Sequence, residues 1–277
     1  MVPRRVPLVV EALGYLGGVL AVVAAFIAVG QLWPDIPTSA QLAFAAAAAA
    51  ALGIAAAVLV TGDDPAFGRL RSVLWTLSTA SLAAFTGVLA SEVGGFDPNG
   101  TTLTLSAAAG VYAGVLWWRT RAPLLHVTTF AYAAVLTGAA IATAGPGLGV
   151  WAVGLGVWCL SALWGAAAFR GYFVPRDVGY VVAAAGLLAG AQLTMGAATG
   201  HMLALATVAG LLAAGVALRR VWVLALGALG VLTVVPRTVT RYLPQGLAAP
   251  LAVLIVGLVL LGLALWLAKT RRTPKSR

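Results

Sequence analysis

Long apolar runs, cut by short polar breaks, follow one another along the whole chain. Each run is about 20 residues, the length at which a helix crosses the hydrocarbon of a bilayer. The pattern predicts membrane spans at 6–33, 39–61, 72–93, 101–118, 124–143, 148–169, 178–198, 201–218, 221–241 and 246–268. The breaks are rich in Gly, Pro, Asp and Arg, as in Gly62-Asp63-Asp64-Pro65 and Gly145-Pro146-Gly147, which is turn chemistry. The expected fold class is all-α: a polytopic integral membrane helical bundle of about ten transmembrane helices. It occupies residues 1–277 as a single transmembrane domain, because no connector is long enough to form a soluble one.

Composition agrees with the pattern. The chain is 62% hydrophobic and 9% charged, against roughly a quarter charged in a soluble domain. Net charge is +10, which first suggests a nucleic-acid partner. The positions of the charges remove that reading, since they come in pairs between apolar runs and form no continuous basic surface.

Placing Arg4 and Arg5 inside and changing sides at each span gathers Arg69, Arg71, Arg119, Arg121, Arg170, Arg176, Arg219 and Arg220 inside, with Lys269, Arg271, Arg272, Lys275 and Arg277 in the tail. Among the 17 basic residues, only Arg237 and Arg241 then fall outside. One span more or fewer would scramble this alternation, so the positive-inside rule supports both termini in the cytoplasm. Ala, Gly, Val, Leu and Arg dominate and there are only two Lys, which points to a bacterial inner membrane. Anionic lipid headgroups are the natural partners of the inner Arg and Lys. Arg4 and Arg5 before an apolar run resemble a signal peptide, but the run is long and has no clear cleavage pattern, so it is read as an uncleaved first span. Trp33, Trp75, Trp117, Trp118, Trp151, Trp222 and Trp266 lie near span ends, where indoles prefer the headgroup region. Trp158 is mid-span.

Ionisable residues inside a membrane are functional candidates by default. Glu11 lies about five residues into the first span, with Gly14 and Gly18 on the same helical face and Tyr15 one turn on. The glycines form a small-xxx-small packing face that would turn Glu11 into the bundle. It is either a proton or cation site, or a structural carboxylate paired near the surface. Arg237 and Arg241 share a face if span nine continues that far, and Tyr242 and Pro244 follow them. The pair suits an anionic ligand or lipid headgroup; the plainer reading pairs it with Asp35, Glu92 or Asp97. Gly186 and Gly190 form a second helix-packing face. Gln192, Thr194 and Met195 make a polar patch that knits helices together more often than it lines a pathway. Cys159 reads as a small buried apolar side chain.

His126 and His201 fall on opposite sides of the membrane, which argues against a shared metal site. The sequence has no His-Glu-x-x-His, Gly-x-Ser-x-Gly or phosphate-binding glycine loop, and no lysine in any span. No catalytic residue, metal or cofactor is expected, and the chain does not read as an enzyme. Ala109-Gly110 with Ala113 before Arg119, and Ala209-Gly210 with Ala213 before Arg219, are alike and hint at an internal duplication.

Glu11-Ala12-Leu13-Gly14-Tyr15-Leu16-Gly17, together with Arg241-Tyr242, Gly246 and Ala249-Pro250 entering the last span, resembles the two ends of a bacterial family of membrane proteins, domain of unknown function 2157. The resemblance implies a polytopic membrane protein with no established activity, and marks Glu11 and the Arg241-Tyr242 segment as features of the type. Two classes of function stay open. One is a transporter-like protein handling lipid or a small solute within the bundle, with Glu11, Tyr15, Arg237, Arg241 and Tyr242 as ligand contacts. The other is a non-catalytic membrane scaffold or regulatory subunit that binds partner proteins. A polar cavity reaching Glu11 or the arginines would favour the first, and a solid bundle closed by salt bridges the second.

Overall fold

The structure is a computed structural model that describes residues 30–59, 65–145, 147–197 and 199–242, with the backbone alone at 65, 66 and 242, and positions 254, 257 and 262. The described residues form eight α-helices: α1 Thr38–Val58, α2 Pro65–Val88, α3 Pro98–Thr120, α4 Pro123–Ala144, α5 Val150–Phe169, α6 Arg176–Thr194, α7 Gly200–Ala217 and α8 Val221–Tyr242. A 3-10 turn, Trp33–Asp35, precedes α1, and α2 continues through a π-helical turn, Leu89–Val93. Among the described residues there is no strand. Seven of the helices are long and apolar enough to cross a membrane. The eighth, α3, has the length but carries Thr101, Thr102, Thr104 and Ser106 in its first half. Thr102, Thr104 and Ser106 donate back to their own helix, as Thr104 Oγ1 does to Gly100 O at 2.8 Å and Ser106 Oγ to Thr102 O at 2.6 Å, and Thr101 Oγ1 donates to Phe96 O just before it, so each hydroxyl proton is held locally.

Successive helices pack most closely as the hairpins α1–α2, α3–α4, α5–α6 and α7–α8. Short connectors leave them no other course, and the contacts run antiparallel: Gly154 faces Gly190, Gly165 faces Ala183 and Gly179 faces Ala168. Small residues set the spacing. A Cβ added at Gly190 would lie 2.6 Å from Trp158 N and 2.8 Å from Gly154 O, so the α5 and α6 backbones meet directly there. In lipid such close packing is a main source of helix association. Gly215 brings α7 and α8 together in the same way, with Leu224 N 2.7 Å from where its Cβ would lie, and Gly230 makes room for the Val208 and Leu188 side chains.

Interhelical hydrogen bonds join the second half. Trp158 Nε1 donates to Thr207 Oγ1 at 2.9 Å, and Gln192 Nε2 donates to Thr233 Oγ1 at 3.0 Å. The latter links α6 to α8, which run parallel. A buried cluster containing Leu188, Val208, Val231 and Val234 fills the space between α6, α7 and α8. A smaller one, Leu116, Trp117 and Leu125, lies where α3 turns into α4.

The alternating course brings Arg69, Arg71, Arg119, Arg121, Arg170, Arg176, Arg219 and Arg220 to one end of the bundle, and Asp35, Glu92, Asp97, Arg237 and Arg241 to the other. Arg220 pairs with Asp177 there, the one ion pair among the described residues.

Several expectations need correction. Arg69 and Arg71 are not in a connector, because α2 starts at Pro65 and carries both in its first turns. A proline fits the first helical turn, and long arginine side chains reach from within a helix to its polar end. Arg119 is likewise within α3, and the helix expected over 178–198 stops at Thr194. Trp117 is near a helix end but buried inside the bundle rather than turned to headgroups. Cys159 is exposed on the outer surface of α5. The two similar Ala-Gly strings play different parts: a Cβ at Gly110 would meet Tyr132 Cβ at 3.3 Å, whereas Gly210 faces open space. The first and last expected spans, 6–33 and 246–268, lie outside the described residues except for 30–33 and positions 254, 257 and 262.

Candidate functional site

A cavity of about 660 Å³ opens at the arginine-bearing end between α1, α2 and α3. Ligand pockets occupy about 300–1,000 Å³. Its α2 wall is Gly68, Arg71, Ser72 and Trp75; its α3 wall is Leu116, Arg119 and Thr120. These positions follow the i, i+3, i+4, i+7 spacing of one helical face. The sequence thus puts two guanidiniums and an indole on facing helices. Ala57, near the end of α1, lines a third side.

The wall is rich in donors and poor in acceptors. Ser72 Oγ donates to Arg69 O at 2.7 Å and Thr120 Oγ1 to Leu116 O at 2.8 Å, so both hydroxyl protons are held by their own helices. Arg71 Nε and Trp75 Nε1 are buried and have no hydrogen-bond partner. Among the described residues, neither Arg71 nor Arg119 meets a carboxylate. A buried donor left unsatisfied costs about 1–3 kcal/mol, and more when charged. The lining therefore stores a demand for an acceptor. Trp75 is held in place from behind: it sits edge-on to Tyr112 at 6.4 Å, Tyr112 Oη lies 3.3 Å from Ser78 Oγ, and Ser78 donates to Ala49 O of α1 at 2.8 Å.

Beyond Leu116 and Leu125 lies an aromatic cluster centred on His126. The imidazole stacks on Trp117 at 4.2 Å, with Phe173 at 5.1 Å and Trp164 at 5.7 Å. Trp164 Nε1 donates to His126 Nε2 at 2.9 Å. Indole nitrogen can only donate, so Nε2 is the acceptor and the neutral ring carries its proton on Nδ1. That Nδ1 and Trp117 Nε1 are also buried without partners.

The candidates expected from sequence fall elsewhere. Glu11, Gly14, Tyr15 and Gly18 lie outside the described residues, as does the side chain of Tyr242. Helix α8 runs unbroken through Pro236 to Tyr242, so Arg237 and Arg241 do share a face; both are exposed, at the end opposite the cavity. They do not pair with Asp35, Glu92 or Asp97. Asp97 instead caps α3, accepting from Gly100 N at 3.2 Å. Gly186 and Gly190 face α5, and Gln192 bridges to α8 while Thr194 bonds Ala191 O within its own helix. His126 and His201 lie at opposite ends, and His201 Nδ1 is 3.4 Å from Thr238 Oγ1. Sequence reasoning missed Arg71, Trp75 and Arg119 as a group. The available signal was the four-residue spacing of Arg71 and Trp75, which places an indole beside a cation on one face.

No protein-family model, no curated protein and no solved structure matches the chain.

Proposed function

We propose that this chain is a ten-span bacterial inner-membrane protein, with both termini cytoplasmic, that handles a small solute or lipid through the cavity between α1, α2 and α3. The observation that carries the proposal is a polar cavity of about 660 Å³ whose two arginines have no carboxylate partner among the described residues. In this reading the arginine-bearing end faces the cytoplasm, as the positive-inside rule favours. The likeness of the two chain ends to domain of unknown function 2157 belongs to the same proposal and names no activity.

A second reading, a scaffold that binds partner proteins, draws on the other half of the bundle. There glycine contacts and interhelical hydrogen bonds close α5 to α8 on one another. The cavity supports the first reading more strongly, since a scaffold needs no buried guanidinium nitrogen left without a partner, as Arg71 Nε is.

The test is thiol labelling of Ser72→Cys in a Cys159→Ser background, in sealed inside-out and right-side-out vesicles with a membrane-impermeant reagent. Labelling in the folded protein only from the cytoplasmic face is expected. Labelling only from the outer face would overturn the orientation. Labelling only after unfolding would show that no open cavity exists.

A further inference from the structure

We propose that the ligand of this cavity is a phosphate-class anion; the inference rests on the cavity reading above and adds the chemistry of the occupant. Four buried side-chain nitrogens in the described structure have no hydrogen-bond partner: Arg71 Nε, Trp75 Nε1, Trp117 Nε1 and His126 Nδ1. All four lie at the arginine-bearing end. Three are donors by chemistry, because guanidinium and indole nitrogens have no acceptor form. The fourth, His126 Nδ1, is a donor because Nε2 already accepts from Trp164. Among the described residues the unmet buried side-chain atoms at this end are all donors, and those that line the cavity suit an acceptor-rich guest.

Two of the four, on Arg71 and Trp75, line the cavity, and Arg119 lines it from the facing helix. A cation is repelled by the two guanidiniums. A neutral sugar or amide brings donors of its own, and among the described lining residues the Ser72 and Thr120 oxygens are the only side-chain acceptors. A carboxylate offers two oxygens to three separate donor groups. A phosphate monoester or diester offers acceptors on several sides and negative charge, the pairing for which arginine is most used. The indole of Trp75 supplies a fixed third donor, one helical turn from Arg71. The same chemistry is presented by a phospholipid headgroup and by a free phosphate, and the cavity opens at the end where either arrives.

The experiment follows the rate of thiol labelling at Ser72→Cys in the Cys159→Ser full-length protein, each variant compared with and without ligand so that intrinsic thiol reactivity cancels. The probes are millimolar inorganic phosphate in detergent, and nanodiscs of phosphatidylglycerol against nanodiscs of phosphatidylcholine, whose quaternary ammonium the guanidiniums repel. Protection by inorganic phosphate identifies a soluble anion; protection by phosphatidylglycerol alone identifies a lipid headgroup. In either case Arg71→Gln with Arg119→Gln should remove the protection, weakening apparent affinity about 100-fold for two charge-assisted contacts. Trp75→Phe removes the indole donor while keeping an aromatic ring at the site and both arginines, guards against misfolding of the charge variant, and should weaken affinity about 10-fold. Rapid labelling that neither probe slows overturns the anion assignment and leaves the cavity reading standing. A thiol that labels only in unfolded protein overturns both.

Discussion

Replacing Gly190 by Ala tests whether backbone contact between α5 and α6 holds the second half of the bundle together. The added methyl would lie 2.6 Å from Trp158 N, 2.8 Å from Gly154 O and 2.9 Å from Trp158 Cα. Ordinary non-bonded contact begins near 3.5 Å, so the helices must separate by roughly 0.7–0.9 Å. A gap of that size forfeits a quarter to a half of each contact worth about 0.1–0.2 kcal/mol. Over roughly 30 atom pairs the loss is about 1–3 kcal/mol, the usual cost of overpacking. Alanine also favours the helix over glycine by about 0.5–1 kcal/mol, which must be cancelled before the packing term is read. Gly210→Ala cancels it, since Gly210 has nothing within 4 Å. Reversible unfolding in SDS mixed micelles should therefore place Gly190→Ala about 1–3 kcal/mol below Gly210→Ala. Gly154→Ala meets Gly190 O at 2.7 Å and Thr194 N at 2.8 Å, so one separation relieves both sites. The double variant should cost less than the sum of the singles. Equal stabilities for Gly190→Ala and Gly210→Ala would refute the close-packed interface.

Trp164→Phe removes the donor to His126 Nε2 and leaves a buried imidazole nitrogen without a partner; the unfolding free energy should fall by about 2–4 kcal/mol, combining that loss with the smaller ring, and a change below about 1 kcal/mol would contradict the assigned bond. Asp177→Asn breaks the ion pair with Arg220, whose side chains are 58% and 44% exposed respectively; the same titration should show a change below about 1 kcal/mol, and a larger loss would mean that the pair is shielded from solvent by a neighbouring segment.

The number and order of the described helices were legible because a bilayer enforces a length on each apolar run and arginines punctuate the turns. Apart from α6, where Gly186 and Gly190 marked the packing side, which side of each helix faces inward was not legible. A soluble core separates apolar from polar residues, but lipid is as apolar as the bundle interior, so a spanning helix gives no such contrast. Cys159 and Trp158 are neighbours in an apolar stretch, yet one faces outward and the other donates a hydrogen bond across to α7. Arg71 was hidden for a related reason. A charge at the edge of an apolar run reads as a connector, whereas the helix extends beneath it and the side chain reaches the polar end. The cavity itself needs three helices that meet only in the folded bundle, so Arg71 and Trp75 could be paired from spacing but not joined to Arg119. Arg237 and Arg241 were legible as exceptions to the charge rule, and they remain exposed and without a carboxylate partner among the described residues.

Native mass spectrometry of the full-length protein released from gentle detergent tests the central claim most directly, since it asks whether the cavity has an occupant. A phosphate-bearing adduct on the unaltered chain is predicted, lost in Arg71→Gln with Arg119→Gln and kept in Arg237→Gln with Arg241→Gln. A bare protein, or an adduct that survives the first pair of substitutions and disappears with the second, would contradict the account.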